Sequence, residues 1–292
     1  MNAKIICLGE AMGEISVAPG GTSVNVGGDT FNTAIYMVRE GLTAGFASAI
    51  GPDPFGKMIR DRLGVEGVAD LLFESPEETG LYAITTAPDG ERSFYYWRAQ
   101  AAARGLLRRH GSALAPLLAE TEGIYLSGIT LWVLEQDAEA LLGLLRGARA
   151  GGTKVMFDGN YRPRLWDGQE DRARELFAEV MALSDMVFPT FEDEQLLWQD
   201  GDPQAVIDRI LALGPQLVVL KQGAQGCILA TPEGQNHVPV PQPVTPLDTT
   251  AAGDSFNAAF LAALWSGASA QEAALAGHRL AGKVIRHRGA LI

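Results

Sequence analysis

Residues 247–264 read LDTTAAGDSFNAAFLAAL, and the rest of the chain is organised around them. Asp248, Thr249 and Thr250 lead into a small-residue turn, Ala251-Ala252-Gly253. Asp254 and Ser255 follow, then an apolar helical run through Phe256, Ala259, Phe260, Ala263 and Leu264. Small residues ahead of a helix leave backbone N–H groups free to converge on one point. The helix dipole adds partial positive charge there, so the turn suits an anion such as a transferring phosphate. A carboxylate beside that nest would repel the anion unless it has work to do. As a general base, Asp254 would take a proton from a substrate hydroxyl, and the resulting alkoxide would attack a phosphoryl group held by the amides. The alternative is that Asp254 is an ordinary carboxylate at a helix start. The segment alone leaves both open.

The totals narrow the field. The 292 residues allow one large α/β domain with a small appendage, and a hydrophobic fraction of 47% supplies a substantial core. A formal net charge of −12 argues against nucleic acid as a partner. The two cysteines, Cys7 and Cys227, sit in apolar runs and read as small core residues. That usage fits a reducing cytoplasm. The first residues enter a strand pattern directly, with no signal peptide and no run long enough to span a bilayer. His110, His237, His278 and His287 lack metal-ligand spacing. No P-loop, no glycine fingerprint after the first strand and no serine elbow occurs.

Along the chain, residues 4–8 (KIICL) form a continuous apolar run that suits a strand covered on both faces. Residues 14–26 alternate around Pro19-Gly20-Gly21 and read as a hairpin. Gly27-Gly28 opens a helix closed by Gly41, residues 46–50 are a strand, and a helix carries Met58, Ile59 and Leu63. Residues 79–86 and 91–98 flank Pro88-Asp89-Gly90 as a second hairpin. Tyr95, Tyr96, Trp97 and Arg98 in succession cannot all face a core, so some face a ligand, a partner chain or water. From Gly123 on, strands at 124–126, 154–158, 186–189 and 217–221 alternate with helices near 136–149, 171–183, 192–198 and 204–213. A hairpin at 227–240 and a last helix near 270–286 complete the chain. This alternation predicts an α/β fold with a mostly parallel central sheet and helices on both faces. The two early hairpins fall outside that scheme and pair as a small separate sheet.

Ligands of such sheets bind beyond the carboxyl ends of the strands. Here those ends carry Gly9-Glu10, Ser127-Gly128, Asp158-Gly159-Asn160 and Lys221-Gln222-Gly223. Asp158 and Arg162 suit either a site or a structural ion pair. Lys221 suits either a phosphate or solvent.

Three segments taken together resemble a known family. Gly27-Gly28-Asp29-Thr30-Phe31-Asn32 resembles the G-G-x-x-x-N signature of the PfkB (ribokinase-like) sugar kinases. Gly51-Pro52-Asp53-Pro54-Phe55-Gly56 resembles their G-x-D-x-F-G segment, and residues 248–256 resemble their D-T-x-G-A-G-D signature. The order matches and spans nearly the whole length. Thr79-Gly80-Leu81-Tyr82, residues 94–98, residues 126–129 and residues 157–166 are similar to the 2-keto-3-deoxygluconate kinases within that family.

The resemblance implies a single ribokinase-like kinase domain over 1–292, with lid hairpins at about 13–27 and 80–98. It implies ATP-dependent phosphorylation of 2-dehydro-3-deoxy-D-gluconate at the 6-hydroxyl. Asp254 would be the base, and Ala251, Ala252 and Gly253 the anion hole. Gly27, Gly28, Asp29, Thr30, Phe31, Asn32 and Ile129 would lie against the sugar, under a lid bearing Tyr82, Tyr95, Trp97 and Arg98. Arg162 would meet the substrate carboxylate or the phosphates, and a bidentate arginine is the natural partner of an acid sugar. Asn160, Lys221, Gly223, Ala224 and Gly226 would follow the nucleotide.

The chain departs from the pattern at Ala251, where many relatives carry glycine but the ketodeoxygluconate kinases do not. The family's N-x-x-E motif is replaced by Thr190-Phe191-Glu192-Asp193, leaving Glu192 and Asp193 as alternatives for organising hydrated magnesium. Magnesium is expected to be held through phosphates and water, with no direct protein ligand. The chain stops at Ile292, where relatives run somewhat longer, so a short or missing last nucleotide-side helix is expected. Another PfkB kinase such as a fructokinase, or a non-catalytic sugar-binding relative, are the competing readings. The aromatic hairpins fit either a homo-oligomer joined through its lids or a cover over substrate alone.

Overall fold

The computed structural model describes residues 3–18, 20–86 and 92–292. In chain order the elements are β1 (Ile5–Leu8), β2 (Met12–Ala18), β3 (Gly21–Gly27), α1 (Asp29–Arg39), β4 (Ala44–Ile50), α2 (Pro54–Glu66) and β5 (Ala69–Glu74). Next come β6 (Leu81–Thr86), β7 (Arg92–Trp97), α3 (Leu106–Ala119), β8 (Gly123–Ser127), α4 (Gly128–Val133), α5 (Ala138–Ala150), β9 (Lys154–Asp158) and α6 (Glu170–Ala182). The chain closes with β10 (Met186–Phe188), α7 (Phe191–Trp198), α8 (Pro203–Ala212), β11 (Leu217–Lys221), β12 (Cys227–Thr231), β13 (Gly234–Val238), α9 (Ala252–Trp265) and α10 (Ala270–Val284).

Among the described residues two sheets form. The larger has nine strands in the order β13-β12-β11-β10-β9-β8-β1-β4-β5. It is parallel from β5 to β11, and β12 and β13 are added antiparallel. The smaller has four strands in the order β3-β2-β6-β7. The mostly parallel sheet is as the alternation predicts, and the two early hairpins pair as the separate small sheet. The turn at Pro88-Asp89-Gly90, and Pro19 in the first hairpin turn, lie outside the described residues.

The continuous apolar runs have a simple cause. Every residue of β1, β4 and β8 is buried, because helices cover both faces of the sheet. Alternate residues of β1 feed opposite cores. Ile6 and Leu8 join a cluster with α3, α5, α6 and α8, whereas Ile5 and Cys7 join one with α1, α9 and α10. Both cysteines are buried and free. Helix α9 packs between α1 and α10 and is apolar on nearly every side, as its Ala- and Phe-rich sequence requires.

Three elements escape the sequence pattern. Strand β5 is a short edge strand carrying Asp70 and Glu74 outward. Helix α3 contains Gly111 and Pro116, which interrupt its periodicity. Helix α4 follows β8 without a loop, Ser127 ending the strand and capping the helix through Thr130.

The chain runs outward from β1 to β4 and β5 on one side, then returns to β8 on the other. The carboxyl ends of β1 and β8 thus flank a switch point, where open α/β sheets hold their ligands.

Candidate active site

A cavity of about 580 Å³ opens at that switch point, roofed by the small sheet. Among the residues expected at the site, it brings together Gly28, Asp29, Asn32, Tyr82, Arg98, Ile129, Asn160, Arg162, Lys221, Ala251, Ala252, Gly253 and Asp254. They come from segments spread over the whole chain. Topology alone collects them.

The turn ahead of α9 is where an anion cradle of Ala251, Ala252 and Gly253 is expected. Ala251 is the N-cap at φ 58, a left-handed conformation that side chains rarely adopt, and it makes no side-chain cap. The Ala252 amide donates to the Thr249 carbonyl at 3.1 Å, so it is already engaged. Among the described residues the amides of Ala251, Gly253 and Asp254 have no acceptor. Of the three amides expected there, Ala252 is engaged, and the Asp254 amide is free beside those of Ala251 and Gly253. The helix start explains this, because its first amides lack intrahelical partners.

Asp254 is half-buried in the first turn of α9 and accepts a hydrogen bond from Asn32 Nδ2 at 2.9 Å. Burial pushes its carboxyl up to about 8, reinforced by the nearby Asp29 and Asp158 and opposed by the Asn32 donor and by Arg162. Asn32 is presented by α1, whose N-cap Gly28 packs so tightly that a Cβ there would stand 2.2 Å from the Glu10 carbonyl oxygen. Asn160, strained at φ 35, donates from Nδ2 to Asp29 at 2.8 Å.

Below the cradle lies a buried polar network that sequence reasoning did not assemble. Lys221 Nζ donates to Asp158 at 2.9 Å and to Asn257 Oδ1 at 3.4 Å. Asn257 Nδ2 donates to the other Asp158 oxygen at 2.9 Å, and Tyr125 Oη to the same oxygen at 3.2 Å. Burial raises the Tyr125 phenol well above its ordinary value. Lys221 is thus neither a solvated lysine nor an unpaired cation. Its ammonium sits so near the cradle that a Cβ on Gly253 would lie 3.7 Å from it.

Asp193 lines the cavity, whereas Glu192 does not. Burial pushes Asp193 up to about 6, with Arg162 opposing from 3.7 Å. Glu194 is buried against Arg209 at 2.7 Å and belongs to the scaffold. Among the described residues no group of three or more His, Cys, Asp or Glu is placed to hold a metal ion.

Several expected residues lie elsewhere. Thr30 and Phe31 point into the core, because α1 turns them away from the cavity. Gly27 closes β3 and stands behind Tyr82. Tyr95 and Trp97 are exposed on the outer face of β7, because neighbouring strand residues face opposite ways. Phe94 and Tyr96 line the cavity in their place, and counting back by twos from Arg98 would have found them. Gly223, Ala224 and Gly226 lie outside the cavity, in the turn between β11 and β12. At Gly226 the space for a Cβ is filled by the backbone of Val238 and Pro239, the Val238 carbonyl oxygen nearest at 2.2 Å.

A wall of the cavity comes from the end of the chain. Ala290 lines it, held by Tyr36 Oη, which donates to the Ala290 carbonyl at 2.6 Å. Asp248 accepts from the Gly289 amide at 3.0 Å and from Thr250 Oγ1 at 2.6 Å, joining this tail to the cradle.

The fold is that of a known class. Residues 2–292 match the pfkB family carbohydrate kinase model, and the chain belongs to that family. It is a kinase phosphotransferase with the ribokinase-like fold. It is 41% identical to the 2-dehydro-3-deoxygluconokinase of Escherichia coli K12 over 304 aligned positions, covering 100% of this chain and 98% of that protein. The Dickeya dadantii 2-dehydro-3-deoxygluconokinase is 40% identical, covering 99% and 96%. An Escherichia coli ribokinase II candidate, solved in complex with ATP and Mg2+, superposes with a TM-score of 0.87 at 25% identity, covering 99% of this chain and 94% of that one. Among the described residues no helix is long and apolar enough to cross a membrane.

Proposed function

We propose that this chain transfers the γ-phosphoryl group of ATP to the terminal 6-hydroxyl of 2-dehydro-3-deoxy-D-gluconate. One observation carries the reading: the Asp254 carboxylate and the free amides at the start of α9 open into the same cavity as Arg98 and Arg162. The names of the relatives at 41% and 40% identity support the substrate, and the ATP-bound neighbour supports the donor.

In this mechanism Asp254 accepts the proton of the 6-hydroxyl, and the sugar oxygen attacks the γ-phosphorus in line with the departing ADP. The amides of Ala251, Gly253 and Asp254 hold the equatorial oxygens as charge spreads over them. Asn32 keeps the Asp254 carboxylate oriented. Arg162 meets the substrate carboxylate or the phosphates, and the paired Lys221 adds positive potential beneath the cradle. Tyr82, Phe94, Tyr96 and Arg98 close over the sugar and exclude water, which protects ATP from hydrolysis. Both sheets serve this one cavity, so the chain works as a single catalytic unit with a lid.

Magnesium fits the donor set as a hydrated ion. Asp193 is the carboxylate that faces the cavity at the replaced family motif, and it would hold the water shell. When bound, the ion neutralises phosphate charge. The exposed outer row of Tyr95 and Trp97 is assigned to contact with a second copy of the chain, which sedimentation analysis tests.

The functional reading is tested by coupled ADP release over a panel of acid and neutral sugars with ATP and magnesium. Turnover is expected on 2-dehydro-3-deoxygluconate. Equal turnover on fructose would overturn the assignment of an acid substrate.

A further inference from the structure

A second carboxylate inside the cavity has no part in the chemistry above. Glu10 follows the end of β1, is 2% exposed, and forms an ion pair with Arg98, which follows β7 and is 6% exposed. Both side chains line the cavity. The pair bridges the large sheet and the lid sheet. Among the described residues, apart from this ion contact, neither Glu10 oxygen has a hydrogen-bond donor, and Arg98 Nε and Nη2 have no acceptor. Arg98 stacks on Trp132, its Cζ 5.0 Å from the ring centroid, and Arg104 lies 4.4 Å from the same centroid. Gly80 leaves room for the carboxylate, since a Cβ there would stand 2.6 Å from Glu10 Oε1.

A buried arginine at the cavity wall is what an acid sugar needs. A buried carboxylate already facing it is not, because it repels the incoming acid group. The desolvated pair balances its own charge, and one partner removed alone leaves the other buried and unpaired.

We propose that Glu10 is a specificity-determining residue: it occupies Arg98 in the unliganded cavity, and the carboxylate of the sugar competes with it for that guanidinium. The proposal rests on the acid-sugar reading above. Its consequences differ by substrate. A neutral sugar leaves the pair undisturbed. An acid sugar draws Arg98 toward itself and feels Glu10 as a repelling charge.

The test is a double-mutant cycle read on two substrates, 2-dehydro-3-deoxygluconate and fructose, at saturating ATP and magnesium. The wild type is measured first. If it shows no preference for the acid sugar, the acid-substrate reading falls and this proposal with it. Given that preference, Glu10→Gln is expected to lower KM for the acid sugar about tenfold, on the scale of one unit charge removed nearby in a partly screened site. KM for the neutral sugar should stay within about twofold, since that sugar carries no charge for Glu10 to repel. Arg98→Gln should raise the acid-sugar KM at least about tenfold, because it removes the attracting charge and exposes the repelling one.

The double substitution Glu10→Gln with Arg98→Gln replaces the pair by amides of similar shape and keeps the cycle usable if Glu10→Gln alone fails to fold. Its acid-sugar KM should fall below that of Arg98→Gln, with no matching change for fructose. Equal changes on both sugars, or an acid-sugar KM that rises in Glu10→Gln, would overturn the proposal and leave Glu10 a structural partner of the lid.

Discussion

Asn32 and Asp254 are separated by 222 positions in the chain and joined by one hydrogen bond of 2.9 Å. That bond ties the first turn of α1 to the first turn of α9, the two helices whose starting turns border the cavity. It also works against the burial that raises the Asp254 carboxyl, so the proposed base is tuned by a residue from the other end of the molecule.

Asp254→Asn should separate activity from stability. Losing the base should lower kcat by about 10^3-fold, within the usual range for general-base removal. The fold should gain. The carboxyl titrates at about 8 in the folded chain and at an ordinary value near 3.8 otherwise. Between those values the folded state keeps a proton the unfolded state has released, so stability falls as pH rises through that window. Asparagine removes the effect, and Tm at pH 8 should rise by about 2–4 °C. Scanning calorimetry decides, and an unchanged or lower Tm contradicts the account.

The pH profile should report the same carboxyl. For the free enzyme, kcat/KM should climb with pH and level off above about 8, where Asp254 is ionised. Asn32→Ala removes a donor that favours the charged form, so the limb should move to higher pH. A limb that stays in place would show that the hydrogen bond does not set the titration.

Gly253→Ala should leave stability intact and impair turnover. The new methyl would sit 3.7 Å from Lys221 Nζ, an ordinary contact, and alanine favours a helix over glycine by about 1 kcal/mol. The same methyl crowds the space over the free amides. A kcat loss of about tenfold or more is expected, on the scale of one lost oxyanion donor. Paired urea titrations and steady-state kinetics measure the two effects. Wild-type kcat would remove Gly253 from the cradle.

Lys221→Met should be costly to the fold as well as to the reaction. It strands Asp158 in a buried network, a loss of about 3–5 kcal/mol for a broken buried pair. Adding Asp158→Asn should restore most of that stability without restoring activity. Chemical denaturation of the single and double variants checks this, and simple additivity of the two losses would contradict it.

Much of this was open to sequence reading, for a physical reason. Continuous apolar runs and small-residue helix starts are local features, so β1, β9, β11 and the turn ahead of α9 could be placed from their own residues. The site members that stayed hidden depend on side-chain direction or distant packing. Phe94 and Tyr96, rather than Tyr95 and Trp97, face the cavity because of strand alternation. Asn257 and Tyr125 matter only because α9 and β8 place them beside Asp158. Thr30 and Phe31 share a motif with Asn32 but not its face of α1. Glu10 was visible as a polar strand end, yet its partner Arg98 is 88 residues further along the chain, a distance no local pattern bridges.

The outward turn of Trp97 gives the molecule an optical handle. It is 59% exposed and is, among the described residues, the only exposed tryptophan. It rides on the strand whose alternate residues, Phe94 and Tyr96, roof the cavity. In the lone chain a water-soluble collisional quencher reaches this indole ahead of the other four, and a second copy seated on the outer row would screen it, so the indole's emission reports that contact without any label being attached.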